Sequence, residues 1–287
     1  MSVDRILVDA LKQKEAKGNQ TQITPINKDS LIFYNSVNLA VGKQGAGKSL
    51  LFLREVLKIQ KEKNIHLLVY VTSDGETSDE TFLAVKNHLT IPVLTVSNND
   101  VEEVVEGLLH TKDLYNDLVS KRKLEKLVPT HKEQIKQLLH LKEFPKDLYN
   151  TRLHTILLFD DAAFSSLFKK DDSYFNKLVH KCRHANCIFM FATQKFKGLS
   201  MPVKSQATTV MIYPGFTPQE VSYIYHNATI KGFDFQQFKG LYSRLLKDQV
   251  LYCNAVSDEM KIIDLSHIRN QVEQPEEDFE EEEEEDY

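Results

Sequence analysis

From residue 31 onward, short apolar runs alternate with longer charged stretches along the chain. The runs are continuous and rich in β-branched or aromatic residues, as expected of strands that are covered on both faces. The stretches between them, such as 47–63 and 174–183, are predicted to be helical. Strands that alternate with helices predict an α/β fold with a parallel sheet and right-handed crossovers. The predicted strands are 37–41, 66–71, 92–96, 155–159, 187–192 and 208–213.

Several regions depart from this alternation. Residues 1–30 predict a helix followed by a polar stretch, and therefore an N-terminal extension. Residues 101–150 are rich in lysine and have the apolar spacing of helices, which predicts a helical insertion before the fourth strand. Residues 246–265 carry another strand or two, and 271–287 form an acidic tail that we expect to be disordered. The main α/β domain is thus predicted to cover residues 31–270.

The composition is that of an ordinary globular protein. The chain has 287 residues, of which 41% are hydrophobic and 27% charged, which excludes collagenous, low-complexity and wholly disordered classes. No apolar run approaches the roughly 20 residues that cross a bilayer, so we expect no transmembrane segment. The first residues are too polar for a secretory signal. The three cysteines, Cys182, Cys187 and Cys253, match no zinc site and are expected to be buried thiols in a reducing, intracellular compartment.

Charge is distributed unevenly along the chain. Residues 276–286 hold ten acids and no base, so the net charge of −5 conceals a body of +5. A body of this charge can meet polyanions, although so small an excess is weak evidence for nucleic-acid binding.

The most specific motif is a phosphate-binding loop. Residues 42–49 fit GxxxxGK[ST] without a mismatch, follow a predicted strand and open a predicted amphipathic helix. Glycines let backbone N–H groups turn inward to form an anion nest, to which the helix N-terminus adds its dipole. Lys48 would reach the β- and γ-phosphates of ATP, and the Ser49 hydroxyl would ligate Mg²⁺. The predicted nucleotide-binding residues are Gly42, Lys43, Gln44, Gly45, Ala46, Gly47, Lys48 and Ser49.

Two acids follow the predicted strand 155–159. At the carboxyl edge of a parallel sheet, Asp160 and Asp161 would lie beside the phosphate loop. There Asp160 can hold Mg²⁺ through water, while Asp161 orients or deprotonates the attacking water. The alternative is a solvated turn that caps the next helix. The phosphate loop upstream favours the catalytic interpretation.

Polar residues also flank the predicted strand 187–192, which we expect beside the acidic strand. The amide of Gln194 can hydrogen-bond the γ-phosphate or the lytic water, or it is an ordinary polar residue at a strand end. Arg183 precedes the strand and is one of seven arginines against 29 lysines. Because a guanidinium bridges phosphate oxygens in a planar fork, Arg183 can act as an arginine finger on a neighbouring subunit's nucleotide. The alternative is a surface ion pair or a charge at a helix C-terminus.

Four strings stand in order along the chain: GKQGAGKS, LLFDD, CRHANCIFMFATQ and LSMPVKSQA. Together they resemble the poxvirus-type DNA-packaging ATPases of the FtsK/HerA superfamily, over roughly residues 36–215. The RH-x-N string, followed by an apolar strand, TQ and a proline, is the discriminating part, because generic P-loop proteins lack it. The resemblance implies a RecA-like P-loop NTPase fold of the additional-strand catalytic-glutamate type, with residues 31–270 as the ATPase domain.

The resemblance also implies roles and partners. It places the Walker A lysine and serine on Lys48 and Ser49, the strand-end sensor on Gln194 and the candidate finger on Arg183. The implied activity is Mg²⁺-dependent ATP hydrolysis that pumps double-stranded DNA into a preformed capsid. The implied partners are duplex DNA, capsid or portal-vertex proteins and further copies of the chain in a pentameric or hexameric ring. The implied location is the host cytoplasm, in a virus factory, or the virion.

Two positions depart from the family pattern. The Walker B pair falls on Asp160 and Asp161, where the wider superfamily usually has Glu as the second acid. The shorter carboxylate of Asp161 holds a water differently. After the proline the family tends to show arginine and then asparagine, whereas this chain has Lys204 and Gln206.

Two other functions stay open. A small-molecule P-loop kinase fits the loop equally well, but such kinases usually close an arginine-bearing lid, and the sequence has no arginine cluster. An ATP-dependent assembly factor would use the fold as a switch and the acidic tail as its docking arm. The other roles open to the acidic tail are those of a solubilising end, a DNA mimic and a ligand of a basic capsid surface. Candidate contacts to DNA phosphates, or members of a solvated charged face, are Lys121, Arg122, Lys123, Lys195 and Lys197.

Overall fold

The computed structural model describes residues 23–62, 64–73, 75, 80–121, 123, 126–141, 143, 152–161, 173–228, 230 and 232–266. Eight strands of this part form one sheet. They are β1 (Val37–Val41), β2 (Ile65–Thr72), β3 (Val93–Ser97), β4 (His154–Phe159), β5 (Cys187–Thr193), β6 (Thr209–Ile212), β7 (Gln249–Asn254) and β8 (Glu259–Asp264).

Helices precede or follow most of these strands in the described residues. They are α1 (Lys48–Ile59), α2 (Glu80–Lys86), α3 (Val101–Ser120), α4 (Pro129–Leu138), α5 (Tyr174–His180), α6 (Cys182–Ala185), α7 (Met201–Ser205), α8 (Pro218–Asn227) and α9 (Phe235–Tyr242). None of these helices combines the length and the apolar character needed to cross a bilayer.

The sheet is mostly parallel, as the alternation of apolar and charged stretches predicted. Its strand order is β3-β2-β4-β5-β1-β6-β7-β8, and β1 to β6 pair in parallel. The strands predicted within 246–265 are the antiparallel hairpin β7–β8 at one edge. Strand β5 lies between β4 and β1. An additional strand therefore separates the strand that precedes the phosphate loop from the strand that precedes the two acids.

The central strands are buried on both faces, which explains their continuous apolar runs. Along β1, Val37, Leu39 and Val41 contribute to one core cluster and Ala40 to the other. The first cluster contains residues of α3 and α5, and the second contains residues of α1 and α2. The three cysteines are buried thiols that form no disulfide bond with one another, as predicted.

The lysine-rich insertion is helical in its described residues, where α3 and α4 connect β3 to β4. A fully buried lysine anchors it: the Lys112 ammonium donates to Thr155 Oγ1 and to the Asn186 carbonyl oxygen, each at 3.1 Å. Burial lowers the pKa of Lys112. These two partners lie at the amino ends of β4 and β5, so the insertion is attached there.

The two chain ends are described only in part. Residues 23–31 pack on α1, where the Leu31 amide donates to Glu55 Oε2 at 2.7 Å. The helix predicted near the N-terminus and the acidic tail, 271–287, lie outside the described residues.

Candidate active site

The carboxyl ends of three neighbouring strands meet at one edge of the sheet. The register places Val41 of β1 opposite Thr193 of β5, and the amide of Gly42 donates to the Thr193 carbonyl oxygen at 3.1 Å. Strand β4 pairs with the other side of β5 and ends at Phe159. The phosphate loop, the two acids and Gln194 therefore leave the sheet side by side.

The phosphate loop has the backbone of an anion nest. Gly45 and Gly47 have φ angles of 70° and 91°, in the left-handed region that glycine adopts most readily. Lys48 is buried at the first position of α1, and its ammonium donates to the Lys43 carbonyl oxygen at 3.0 Å. The amides of such a loop and the helix N-terminus offer hydrogen-bond donors to an anion.

A tyrosine that the sequence reasoning missed packs against this loop and is hydrogen-bonded to its backbone. Tyr213 follows β6, is almost fully buried, and donates from its hydroxyl to the Gly47 carbonyl oxygen at 3.1 Å. A Cβ atom at Gly42 would lie 2.8 Å from Cβ of Tyr213, so this close approach requires glycine. Tyr213 lies next to the loop because β1 pairs with β6. No local sequence pattern predicts this pairing.

Ser49 and Asp160 are in direct contact across the edge. The Ser49 hydroxyl donates to Asp160 Oδ1 at 2.7 Å, and the Asp161 amide donates to the same oxygen at 3.1 Å. The other oxygen, Oδ2, accepts a 3.0 Å hydrogen bond from the hydroxyl of Tyr70 on β2. Sequence reasoning missed Tyr70, although a phenol inside an otherwise apolar strand is a signal that a buried polar partner exists.

The second acid is in contact with the predicted sensor. Gln194 Nε2 donates to Asp161 Oδ2 at 3.2 Å. Asp161 has a φ angle of 54°, a left-handed conformation that is uncommon outside glycine and is concentrated at functional sites. Among the described residues, the buried Oδ1 atom of Asp161 has no hydrogen-bond partner. A buried polar atom without a partner is a place where a bound water or ligand is expected.

Burial and neighbouring charges shift two titrating groups. Burial lowers the pKa of Lys48, and the charges of Asp160 and Asp161 partly oppose that effect. Burial raises the pKa of Asp161, as does the charge of Asp160, against the opposing charges of Lys48 and Lys195. A carboxylate with a raised pKa is a stronger base than an ordinary aspartate.

The outer residues of the loop face solvent. Lys43 and Gln44 are exposed, and Ala46 is half-buried. The Lys43 ammonium lies 3.9 Å from the Glu220 carboxylate and 5.2 Å from the ring centre of Phe216. The loop is therefore linked to the segment that begins α8.

Arg183 does not lie at this edge. Its backbone belongs to α6, which precedes β5, whereas Gln194 follows the same strand. The seven residues of β5 span roughly 20 Å, at about 3.3 Å per residue. Arg183 is thus on the edge opposite its own phosphate loop. Of the predicted DNA contacts, Lys121 pairs with Asp117 at 2.7 Å, and Arg122 is outside the described residues.

Comparisons with solved structures place this architecture among known folds. The genome packaging NTPase B204 from Sulfolobus turreted icosahedral virus 2, solved with AMP, superposes with a TM-score of 0.50 at 17% identity. The match covers 79% of this chain and 96% of B204. This chain has the fold of that packaging NTPase. It is the P-loop NTPase fold that the resemblance implied, with the phosphate loop after β1 and a mostly parallel sheet.

Two further solved structures give TM-scores of 0.49. The pCW3 conjugation coupling protein TcpA, solved with ATPγS, is 13% identical, and the match covers 80% of this chain and 60% of that one. The cytoplasmic domain of the type VII secretion ATPase EccC from Thermomonospora curvata is 14% identical, with 81% and 25% covered. In comparisons with protein-family models and with curated proteins, nothing matches this chain.

Proposed function

We propose that the protein is an ATP-hydrolysing motor of the FtsK/HerA superfamily that translocates double-stranded DNA into a preformed viral capsid. The proposal of ATP hydrolysis rests on one observation: beside the phosphate loop, Ser49 contacts Asp160 and Gln194 contacts Asp161. The fold shared with B204 and the string RH-x-N…TQ…P support the packaging role.

The residues present fit Mg²⁺ and a triphosphate. Ser49 and Asp160 offer a hydroxyl and a carboxylate, the hard oxygen ligands that Mg²⁺ prefers. Lys48 is held near both acids, and the open nest formed around Gly45 and Gly47 suits phosphate oxygens. We assign residues 42–49 to the nucleotide and Ser49 and Asp160 to the metal. Mg²⁺ supplies charge neutralisation at the phosphate oxygens when it is bound.

Hydrolysis then falls to Asp161 and its neighbour. The raised pKa of Asp161 and its unpartnered Oδ1 suit it to orient a water and accept its proton. Gln194 is hydrogen-bonded to the other oxygen and fixes that carboxylate, and we assign to it the sensing of the loss of the γ-phosphate. Lys48 offsets negative charge on the phosphates, as the P-loop lysine does in other NTPases.

Arg183 is assigned to a neighbouring copy's nucleotide. Because its backbone lies at the edge opposite its own loop, it can act as a finger only if a second copy brings that loop to it. A guanidinium supplied in this way contributes about 10³-fold or more to hydrolysis in other NTPases. The active assembly is therefore proposed to be a closed ring with the site shared between chains.

The proposal is tested by measuring phosphate release with and without duplex DNA. A translocase predicts DNA-stimulated turnover that falls with rising salt, because sequence-independent contacts to phosphates release counterions. Unchanged turnover with DNA, together with phosphorylation of a small molecule, would identify a kinase instead. Tight ATP binding without phosphate release, even with DNA, would identify a switch protein.

The shared site has its own test. Arg183→Ala and Asp161→Asn each remove one half of a composite site, so each variant alone should be nearly inactive. Mixing the two should partly restore turnover, because some interfaces then combine an intact Arg183 with an intact Asp161. Mixing Asp161→Asn with Lys48→Ala is the matched control, since both changes disable the same half and no restoration is expected.

A further inference from the structure

A cleft adjoins the phosphate side of the candidate site. It has a volume of about 420 Å³ and lies between the segment that follows β5 and the start of α8. This volume falls within the ~300–1,000 Å³ of ordinary binding clefts. Apart from Gln194 at its edge, the proposed hydrolysis uses none of the residues that line the cleft. Its lining residues are Gln194, Lys195, Phe196, Lys197, Phe216, Gln219, Glu220, Tyr223 and Ile224.

The cleft combines aromatic walls with a basic rim. The ring of Phe196 is buried and meets that of Tyr223 edge-on, with 6.2 Å between the ring centres, and the rings of Tyr223 and Phe216 are half-buried. Lys195 and Lys197 are exposed at the rim. Glu220 also lines the cleft, but its carboxylate is paired with an ammonium of the phosphate loop at 3.9 Å. The chemistry suits an aromatic side chain with carboxylates on either side.

The described chain reaches the phosphate loop near its end. Leu265 lines a small cavity together with Ala46 and Gly47 of the phosphate loop, and its amide donates to the Asp248 carbonyl oxygen at 2.7 Å. Lys43, in the same loop, lies over Phe216 of the cleft. Leu265, one residue before the described chain ends, and the cleft therefore border the same eight-residue loop.

The residues beyond this end have the complementary chemistry. Residues 276–286 read EEDFEEEEEED, so that Phe279 is the one apolar residue within a run of acids. Twelve residues lie between Ser266 and Phe279. A random coil of that length has a root-mean-square reach of roughly 20 Å, which corresponds to a local concentration in the millimolar range.

We propose that the acidic tail of this chain docks in the cleft, with Phe279 against the aromatic walls and the flanking carboxylates on Lys195 and Lys197. This inference concerns an internal interaction and does not rest on ATP hydrolysis or on DNA translocation.

The test is zero-length carbodiimide cross-linking of the full chain, followed by peptide mapping. This reagent joins a carboxylate to a lysine only when the two are in contact. Lys61 is the matched control, because it is exposed just beyond α1, which extends about 18 Å from the phosphate loop, and is within the tail's reach. We expect links from residues 276–286 to Lys195 and Lys197 to exceed those to Lys61, and to weaken as salt screens the charges.

Variants in the tail make the result decisive without altering the folded body. Phe279→Ala should lower the yield at Lys195 and Lys197 roughly tenfold, the factor that corresponds to burying one phenyl ring, while Phe279→Leu should retain most of it. Equal yields at Lys61, or no response to Phe279→Ala, would overturn the proposal. Mixing equal amounts of light and isotope-labelled chains gives the last check: cross-links that join a light to a heavy peptide in about half of all cases would show that a second copy's tail, not the chain's own, fills the cleft.

Discussion

Tyr70 offers a direct test of how Asp160 is held, because a single oxygen atom can be removed with little change in packing. Its ring stacks on Phe82 of α2 at 4.2 Å, and its hydroxyl donates to Asp160 Oδ2 at 3.0 Å. Phenylalanine retains the stacking and removes only the donor. The carboxylate then keeps the two hydrogen bonds that its Oδ1 atom accepts, one from the Ser49 hydroxyl and one from the Asp161 amide.

The size of the effect follows from the charge of the acceptor. A hydrogen bond to an ionised group contributes about 1.5–3 kcal/mol, and water can replace part of it because Asp160 is only half-buried. We expect Tyr70→Phe to lower the free energy of unfolding by about 1–2 kcal/mol. Loss of a partner that orients a metal-binding carboxylate typically lowers metal affinity 10-fold or more. The Mg²⁺ concentration that gives half of the maximal nucleotide binding should therefore rise roughly tenfold.

The assay compares two measurements on two variants. Urea unfolding reports stability, and a fluorescent ATP analogue titrated with Mg²⁺ reports the site. Tyr252→Phe is the matched control, because the Tyr252 hydroxyl also makes a buried hydrogen bond, to the Leu31 carbonyl oxygen at 3.0 Å, away from the site. The control should lose stability and keep the Mg²⁺ response of the parent. If Tyr70→Phe behaves in the same way as the control, Tyr70 does not position Asp160.

Three further predictions concern stability. Gly42→Ala should lower the free energy of unfolding, measured in urea, by about 1–3 kcal/mol, because the added Cβ would lie 2.8 Å from the buried Tyr213. A parent-like free energy of unfolding would show that the ring moves aside. Gly107→Ala, in α3 with no atom within 4 Å of the added Cβ, should raise stability by about 0.5–1 kcal/mol, and a loss would show an unexpected clash. Burial lowers the pKa of both His66 and His154 to about 3. Since the unfolded state then binds more protons, the free energy of unfolding should fall as the pH decreases from about 6.5 towards 3, with a smaller slope in His66→Gln; an equal slope would contradict the prediction.

The parts of the fold that local sequence dictates were predictable, and those that depend on tertiary contacts were not. The phosphate loop and its helix follow from a contiguous motif, and the buried strands follow from their apolar runs. The predicted helix 47–63 instead ends at Ile59. Here the side chain of Gln60 bonds to the His88 carbonyl oxygen and the Thr90 amide, contacts that are distant in sequence. The predicted helix 174–183 divides at Lys181, and Asn186, with a φ angle of 49°, ends its second part.

The candidate site shows the same division. The sequence indicated which residues carry the chemistry, because a glycine-rich loop, paired acids and a strand-end amide have recognisable types and order. The supports of that chemistry, Tyr70 and Tyr213, come from strands on either side of the loop and the acids. Their roles depend on strand order and register, which a single sequence leaves open. Of the strand order, only one part was predicted, namely that β4 and β5 are adjacent.

The most direct test of the central claim compares the two adjacent acids in a single-turnover measurement of ATP hydrolysis, with Mg²⁺-dependent nucleotide binding measured on the same samples. If a nucleotide's terminal phosphate lies between Lys48 and the acids, Asp161→Asn should bind ATP and Mg²⁺ as the parent does and hydrolyse it about 10²–10⁴-fold more slowly. Asp160→Asn should instead weaken the Mg²⁺-dependent binding. A parent-like rate of hydrolysis in Asp161→Asn would contradict the account.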